Sequence, residues 1–89
     1  MNAVTYALLA VIASTAGDAP GAGEHLRAAQ RLSRATARRE RQLVEIASLI
    51  VEGQVRRARD LSFEHTSEFP QDEHLLASLL DPSSPEGGS

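Results

Sequence analysis

"GQVRRARDLSFEHTSEFPQDEHLL", residues 53–76, holds a glycine, an alanine five residues later and a proline twelve after that. Upstream of Gly53, Leu43, Ile46, Ala47 and Ile50 stand at i, i+3, i+4 and i+7, the buried stripe of an amphipathic helix. A glycine ends such a helix readily, because without a Cβ it accepts left-handed backbone. Helical spacing then resumes: Ala58, Leu61, His65 and Phe69 share a face. Pro70 stops it, since a proline clashes with the turn before it and offers no N–H. The stretch therefore reads as helix, glycine turn, helix, stop. Ala58 falls where two helices leaving a short turn pass closest, and a larger side chain there would force them apart.

The same punctuation occurs upstream. Gly17 lies 36 residues before Gly53, and Ala22 lies five residues after Gly17, as Ala58 does after Gly53. In this register Ala10 falls on Ile46, Ala13 on Leu49, Leu9 on Glu45 and Leu26 on Ser62. The turns correspond better than the side chains between them. Residues 3–16 read as a first helix, with Tyr6, Leu9, Ala10 and Ala13 on one face and Leu8 and Ile12 widening it. Gly17 is its C-cap and Pro20 leads into a second helix over residues 22–33, with Leu26, Ala29 and Leu32 toward the core. Thr36 is placed as the N-cap of a third helix running to Glu52. A fourth runs from Gln54 to Glu68, and a short fifth over residues 71–80 carries Leu75, Leu76, Leu79 and Leu80. No segment alternates with period two, so no strand is expected. The expectation is an all-α domain over residues 1–80, two antiparallel helical hairpins plus a short C-terminal helix. "DPSSPEGGS", residues 81–89, is a Pro/Gly/Ser tail expected to be disordered.

Composition bounds the chemistry. The chain has 89 residues, three aromatic side chains (Tyr6, Phe63 and Phe69) and a core to be built from Leu, Ile, Val and Ala. It has no cysteine, which removes disulfides, thiolate metal sites and cysteine nucleophiles. All nine basic residues are arginines within residues 27–59, and from Asp60 onward there are seven acids and no Lys or Arg. Such a split can orient a partner or draw copies together head to tail. The apolar run at residues 3–16 is too short to span a bilayer as a helix. It has no Arg or Lys before it, as a secretory signal would. A cytoplasmic location without membrane contact is the expectation.

The candidate constellations are few. His25, His65 and His74 do not pair at i, i+4 as helical zinc ligands would. Glu64, His65, Asp72 and His74 are close in sequence but straddle Pro70, and His65 falls on an apolar stripe, as a packed and hydrogen-bonded residue would. "GAG" at residues 21–23 follows no strand and reads as a turn. No nucleophile elbow or phosphate loop is present. Arg27, Arg31, Arg34 and Arg38 step by four, three and four, with Arg39 and Arg41 beside them. They read as a solvated face paired with Glu24, Glu40 and Glu45, with Arg31 and Arg38 also available to a docking partner. The net charge of −3 and the lack of interleaved aromatics argue against nucleic acid. No catalytic residue, metal, cofactor or small-molecule substrate is expected.

Residues 36–76, "TARRERQLVEIASLIVEGQVRRARDLSFEHTSEFPQDEHLL", resemble a bacterial tetratricopeptide-repeat-like family. The likeness rests on Thr36, Arg39, Glu40, Gly53, Ala58, Glu64, His65, Pro70 and Asp72, while Gln54 stands where the family has an acid. The offset of 36 is near that repeat's period of about 34. The resemblance covers about two repeats, fewer than the family's members usually carry, so the chain looks like an excerpt of a longer array. It implies right-handed stacking of hairpins, with Gly17, Ala22, Gly53, Ala58 and Pro70 as turn, contact and stop residues. It also implies scaffolding rather than catalysis. A small interaction module is expected, binding another protein or a second copy through Leu9, Leu75, Leu76, Leu79 and Leu80. The alternatives are a non-catalytic subunit of an enzyme complex and a nucleic-acid-binding regulator.

Overall fold

The computed structural model describes residues 2–80. They form helices α1 (Ala3–Thr15), α2 (Ala19–Ser33), α3 (Arg38–Val51) and α4 (Val55–Glu68), a 3-10 turn (Pro70–Asp72) and α5 (Glu73–Leu80), with no strand among the described residues. The tail expected over residues 81–89 lies outside the described residues.

The turns that follow α1 and α3 have matching geometry. Gly17 has φ 83° and Gly53 φ 81°. In the first turn the N–H of Gly17 donates to the Ser14 carbonyl at 3.1 Å and that of Asp18 to Ala13 at 2.8 Å. In the second, Gly53 donates to Ile50 at 3.0 Å and Gln54 to Leu49 at 2.8 Å. Both are Schellman closures, which satisfy the last carbonyls of a helix and require a left-handed residue.

Two helix starts differ from the sequence expectation. α2 begins at Ala19 rather than at residue 22, because the Asp18 carboxylate accepts from the Gly21 N–H at 3.0 Å and caps the helix. Pro20 then sits in the first turn, where its missing N–H has no partner to lose. Thr36 does not cap α3. Its hydroxyl donates to the Ser33 carbonyl at 2.9 Å and closes α2. α3 starts after Ala37, whose N–H donates to Glu40 Oε1 at 3.1 Å. That is half a capping box, since alanine has no side-chain acceptor to return the bond.

Burial recurs with the turns. α1 buries Ala3, Ala7, Ala10 and Val11, and α3 buries Leu43, Val44, Ile46 and Ala47. α2 buries Ala22, Leu26, Ala29 and Ser33, and α4 buries Ala58, Ser62 and His65. Six of these positions correspond at an offset of 36: Ala7 with Leu43, Ala10 with Ile46, Val11 with Ala47, Ala22 with Ala58, Leu26 with Ser62, and Ala29 with His65. Ala22 is 1% and Ala58 0% exposed, so neither position has room for a larger side chain.

The face expected for α1 is corrected. Tyr6, Leu9 and Ala13 are half-buried and Ile12 is 62% exposed. α1 lies against both α2 and α3, and the alanine side of the helix is the one that permits that close approach. On α2, Leu32 likewise faces out. One core joins Ala3, Ala7, Val11, Ala29, Val44 and Ala47, and a second joins Leu43, Ile46, Ala58 and Leu76. α5 completes the second by packing on α4 and α3.

Candidate functional site

The polar side chains that the fold draws together come from three elements. Arg39 and Gln42 lie on α3, His65 near the end of α4 and Asp72 in the 3-10 turn. The turn is the device that joins them. Phe69 ends α4, its N–H donating to the His65 carbonyl at 2.7 Å, and Pro70 opens a 3-10 turn closed by the Asp72 N–H to the Phe69 carbonyl at 3.1 Å. The chain reverses there and carries Asp72 back to His65. The two residues were expected to stand apart across Pro70; the turn that Pro70 starts is what brings them within hydrogen-bond distance.

Asp72 accepts from both neighbours. Arg39 Nε donates to Oδ2 at 2.8 Å and Nη2 to Oδ1 at 2.6 Å, the two-point fork that suits a carboxylate. His65 Nε2 donates to Oδ2 at 2.6 Å, and its Nδ1 lies 2.7 Å from Gln42 Oε1. The Phe69 ring lies over the imidazole with centroids 4.9 Å apart. The His65 side chain is 0% exposed and that of Asp72 3%. The Arg39 guanidinium holds the Asp72 carboxyl below its ordinary value; burial opposes this and the His65 hydrogen bond adds to it. Asp72 in turn raises Arg39.

This arrangement is closed. Both imidazole nitrogens are engaged, and no buried side-chain polar atom among the described residues lacks a partner. A general base must reach a substrate proton, and His65 faces protein on every side. Among the described residues no group of three or more His, Asp and Glu side chains could hold a metal. The network instead ties α3, α4 and the 3-10 turn into one piece. It also accounts for much of the residue pattern in residues 36–76: Thr36 closes α2, Glu40 caps α3, Gly53 turns left-handed, Ala58 is buried, Pro70 opens the 3-10 turn, and Arg39, His65 and Asp72 bond one another.

Arg39 therefore does not belong to the solvated arginine face. Arg38 does; it pairs with Glu68 at 3.1 Å, both side chains exposed. Glu24 and Glu45, expected as partners of that face, make no ion pair among the described residues. Arg41 donates to the Thr36 carbonyl at 2.8 Å, and Arg31 is exposed.

The apolar residues expected at a docking face divide. Leu76 is 1% exposed and sits in the α3–α4–α5 core, so it offers no surface. Leu9, Leu75, Leu79 and Leu80 are half-buried. A groove of about 440 Å³ opens between α1 and α5, lined by Val11, Ile12, Thr15, Ala16, Ser78 and Leu79. A second, of about 300 Å³, lies between α4 and α5 beside Phe63, which is 79% exposed. Sequence reading passed over Ile12 and Phe63 as surface residues, because periodicity reports which residues share a face and not which face a neighbour covers.

Compared with known proteins, the chain matches no family model, no curated protein and no solved structure. Among the described residues no helix is long and apolar enough to cross a membrane.

Proposed function

We propose that this chain is a small tetratricopeptide-repeat-like interaction module. Its two hairpins, α1–α2 and α3–α4, run antiparallel and stack with a right-handed twist, α5 trails them, and the whole docks on another protein chain in the cytoplasm. The observation that carries this reading is the recurrence at 36 residues of one turn geometry and one burial pattern. Stacked units bury their apolar faces against neighbours, about three are needed for stability, and terminal units require polar caps. This chain offers two, and its ends are not polar: α1 has no charged residue and α5 carries four leucines. Exposed apolar surface of this kind marks contact sites. The buried Arg39–Asp72–His65 network stiffens the scaffold and is assigned no chemistry.

Sedimentation equilibrium of the purified chain, with binding of an apolar fluorescent dye as a second readout, tests the role. The expected result is a mass above that of the monomer, or a monomer whose open surface binds dye. A folded monomer at every concentration that binds no dye contradicts an interaction role.

A further inference from the structure

α1 is built inside out. It buries Ala3, Ala7, Ala10 and Val11, while Leu8 and Leu9 are only half-buried and Ile12 is 62% exposed. A helix that needs just one covered stripe places its large apolar residues in that stripe and polar ones opposite. Here the small residues face the core and an isoleucine stands in solvent. No charged residue occurs over Ala3–Thr15. Ile12 and Val11 form one wall of the 440 Å³ groove, with Leu79 on the other.

The chemistry of the groove selects its occupant. Its lining residues Val11, Ile12, Thr15, Ala16, Ser78 and Leu79 carry no charge. A charged segment seated there would be desolvated with no counter-charge to meet it. Residues 81–89, "DPSSPEGGS", follow α5 directly, yet they hold no apolar side chain larger than proline. α2, α3, α4 and α5 each carry Arg, Asp or Glu, and α1 carries none. The electrically matched occupant on the page is therefore another α1.

We propose that the groove between α1 and α5 receives α1 of a second copy, with Ile12 of each copy seated in the groove of the other. The projecting side chain and the receiving groove lie side by side on one surface, which is what a two-fold contact of a patch with itself requires. The inference rests on the interaction-module reading and names its partner and surface.

The test compares three chains by sedimentation equilibrium at micromolar concentration. The wild-type chain sediments at twice its monomer mass. Ile12→Glu weakens the dimer by about a hundredfold or more, the effect of charging a buried anchor, and keeps the helical circular dichroism because Ile12 is exposed within its own copy. Phe63→Glu, beside the other groove, leaves the dimer intact. Should Ile12→Glu lose helix, Thr15→Glu, also exposed on the groove wall, is read in its place. Ile12→Cys, as the sole thiol in the chain, cross-links two copies under mild oxidation. An oligomer that survives Ile12→Glu and is dissolved by Phe63→Glu overturns this surface but leaves the interaction role standing. A monomer that binds the apolar dye overturns the second copy as occupant and gives the groove to a different protein. A monomer that instead binds uncharged phosphatidylcholine vesicles overturns it in favour of a lipid surface.

Discussion

The two helix pairs bury the same positions with different materials. In α1 and α2 the shared positions hold Ala7, Ala10, Val11, Ala22, Leu26 and Ala29; in α3 and α4 they hold Leu43, Ile46, Ala47, Ala58, Ser62 and His65. The first pair is held by close approach of small side chains. The second combines larger aliphatic residues with the Arg39–Asp72–His65 network. The network occupies positions whose counterparts are inert: Ala3 corresponds to Arg39, Ala29 to His65 and Thr36 to Asp72. Turn geometry is nonetheless the same in both. The punctuating residues, Gly17 and Gly53 with Ala22 and Ala58, therefore set the architecture, and the filling between them is free to vary so long as each buried polar group is satisfied.

The largest asymmetry should appear at the network. Asp72→Ala leaves a buried imidazole and a half-buried guanidinium unpaired and should cost about 3–5 kcal/mol, the scale of breaking a buried ion pair. Its counterpart Thr36→Ala removes one partly buried hydrogen bond to Ser33 and should cost about 1 kcal/mol. Urea unfolding of both variants reads the difference; equal losses would show that the second pair does not depend on its network. Acid should reveal the same asymmetry. The Asp72 carboxyl lies below its ordinary value of 3.8 in the fold. The stability it contributes is therefore full above that value and lost as pH falls through the lower folded value. The melting temperature of the wild type should drop on acidification across that window, and Asp72→Asn should flatten the drop. A drop of the same size in Asp72→Asn would assign it to other carboxylates.

The contact alanines should behave alike. Ala58→Leu and Ala22→Leu each overpack a helix crossing and should cost about 1–3 kcal/mol, measured by thermal melts. An unchanged melting temperature in either would break the 36-residue correspondence at that crossing. The smallest effects belong to the glycines. A Cβ added at Gly17 or Gly53 meets nothing within 4 Å. The cost of Gly17→Ala and Gly53→Ala is then purely that of left-handed backbone, about 1–2 kcal/mol each. Matching losses sharpen the comparison, and a loss at one position alone would show that the two turns carry different strain.

Much of this architecture was legible in the sequence because it is written in punctuation. Gly17, Gly53 and Pro70 break the chain where glycine and proline must act locally, and Leu43, Ile46 and Ala47 mark the buried face of α3. What was not legible depends on who the neighbour is. α1 is apolar on nearly every side, so periodicity could not choose its buried face, and close packing against α2 and α3 chose the alanines. Asp18 was passed over as a cap because Pro20 drew the start of α2 too late. Thr36 is a good cap by type, yet its hydroxyl serves the preceding helix. The His65–Asp72 contact escaped because a proline reads as a separator, and whether the chain runs on or folds back beyond it is settled by the 3-10 turn. Arg39 was lost among its arginine neighbours, since charge spacing along a helix says nothing of a carboxylate 33 residues away.

The central claim is that residues 37–72 form one unit of a repeat. The most direct measurement inserts a second copy of residues 37–72 directly after Asp72 and follows the chain by circular dichroism and thermal melting. In a stack where each unit contacts its neighbours, an added unit brings its own core and one more interface. The extended chain should gain helix in proportion to its length, unfold in one transition and melt above the wild type. A chain that aggregates, loses helix per residue or melts below the wild type would contradict the account.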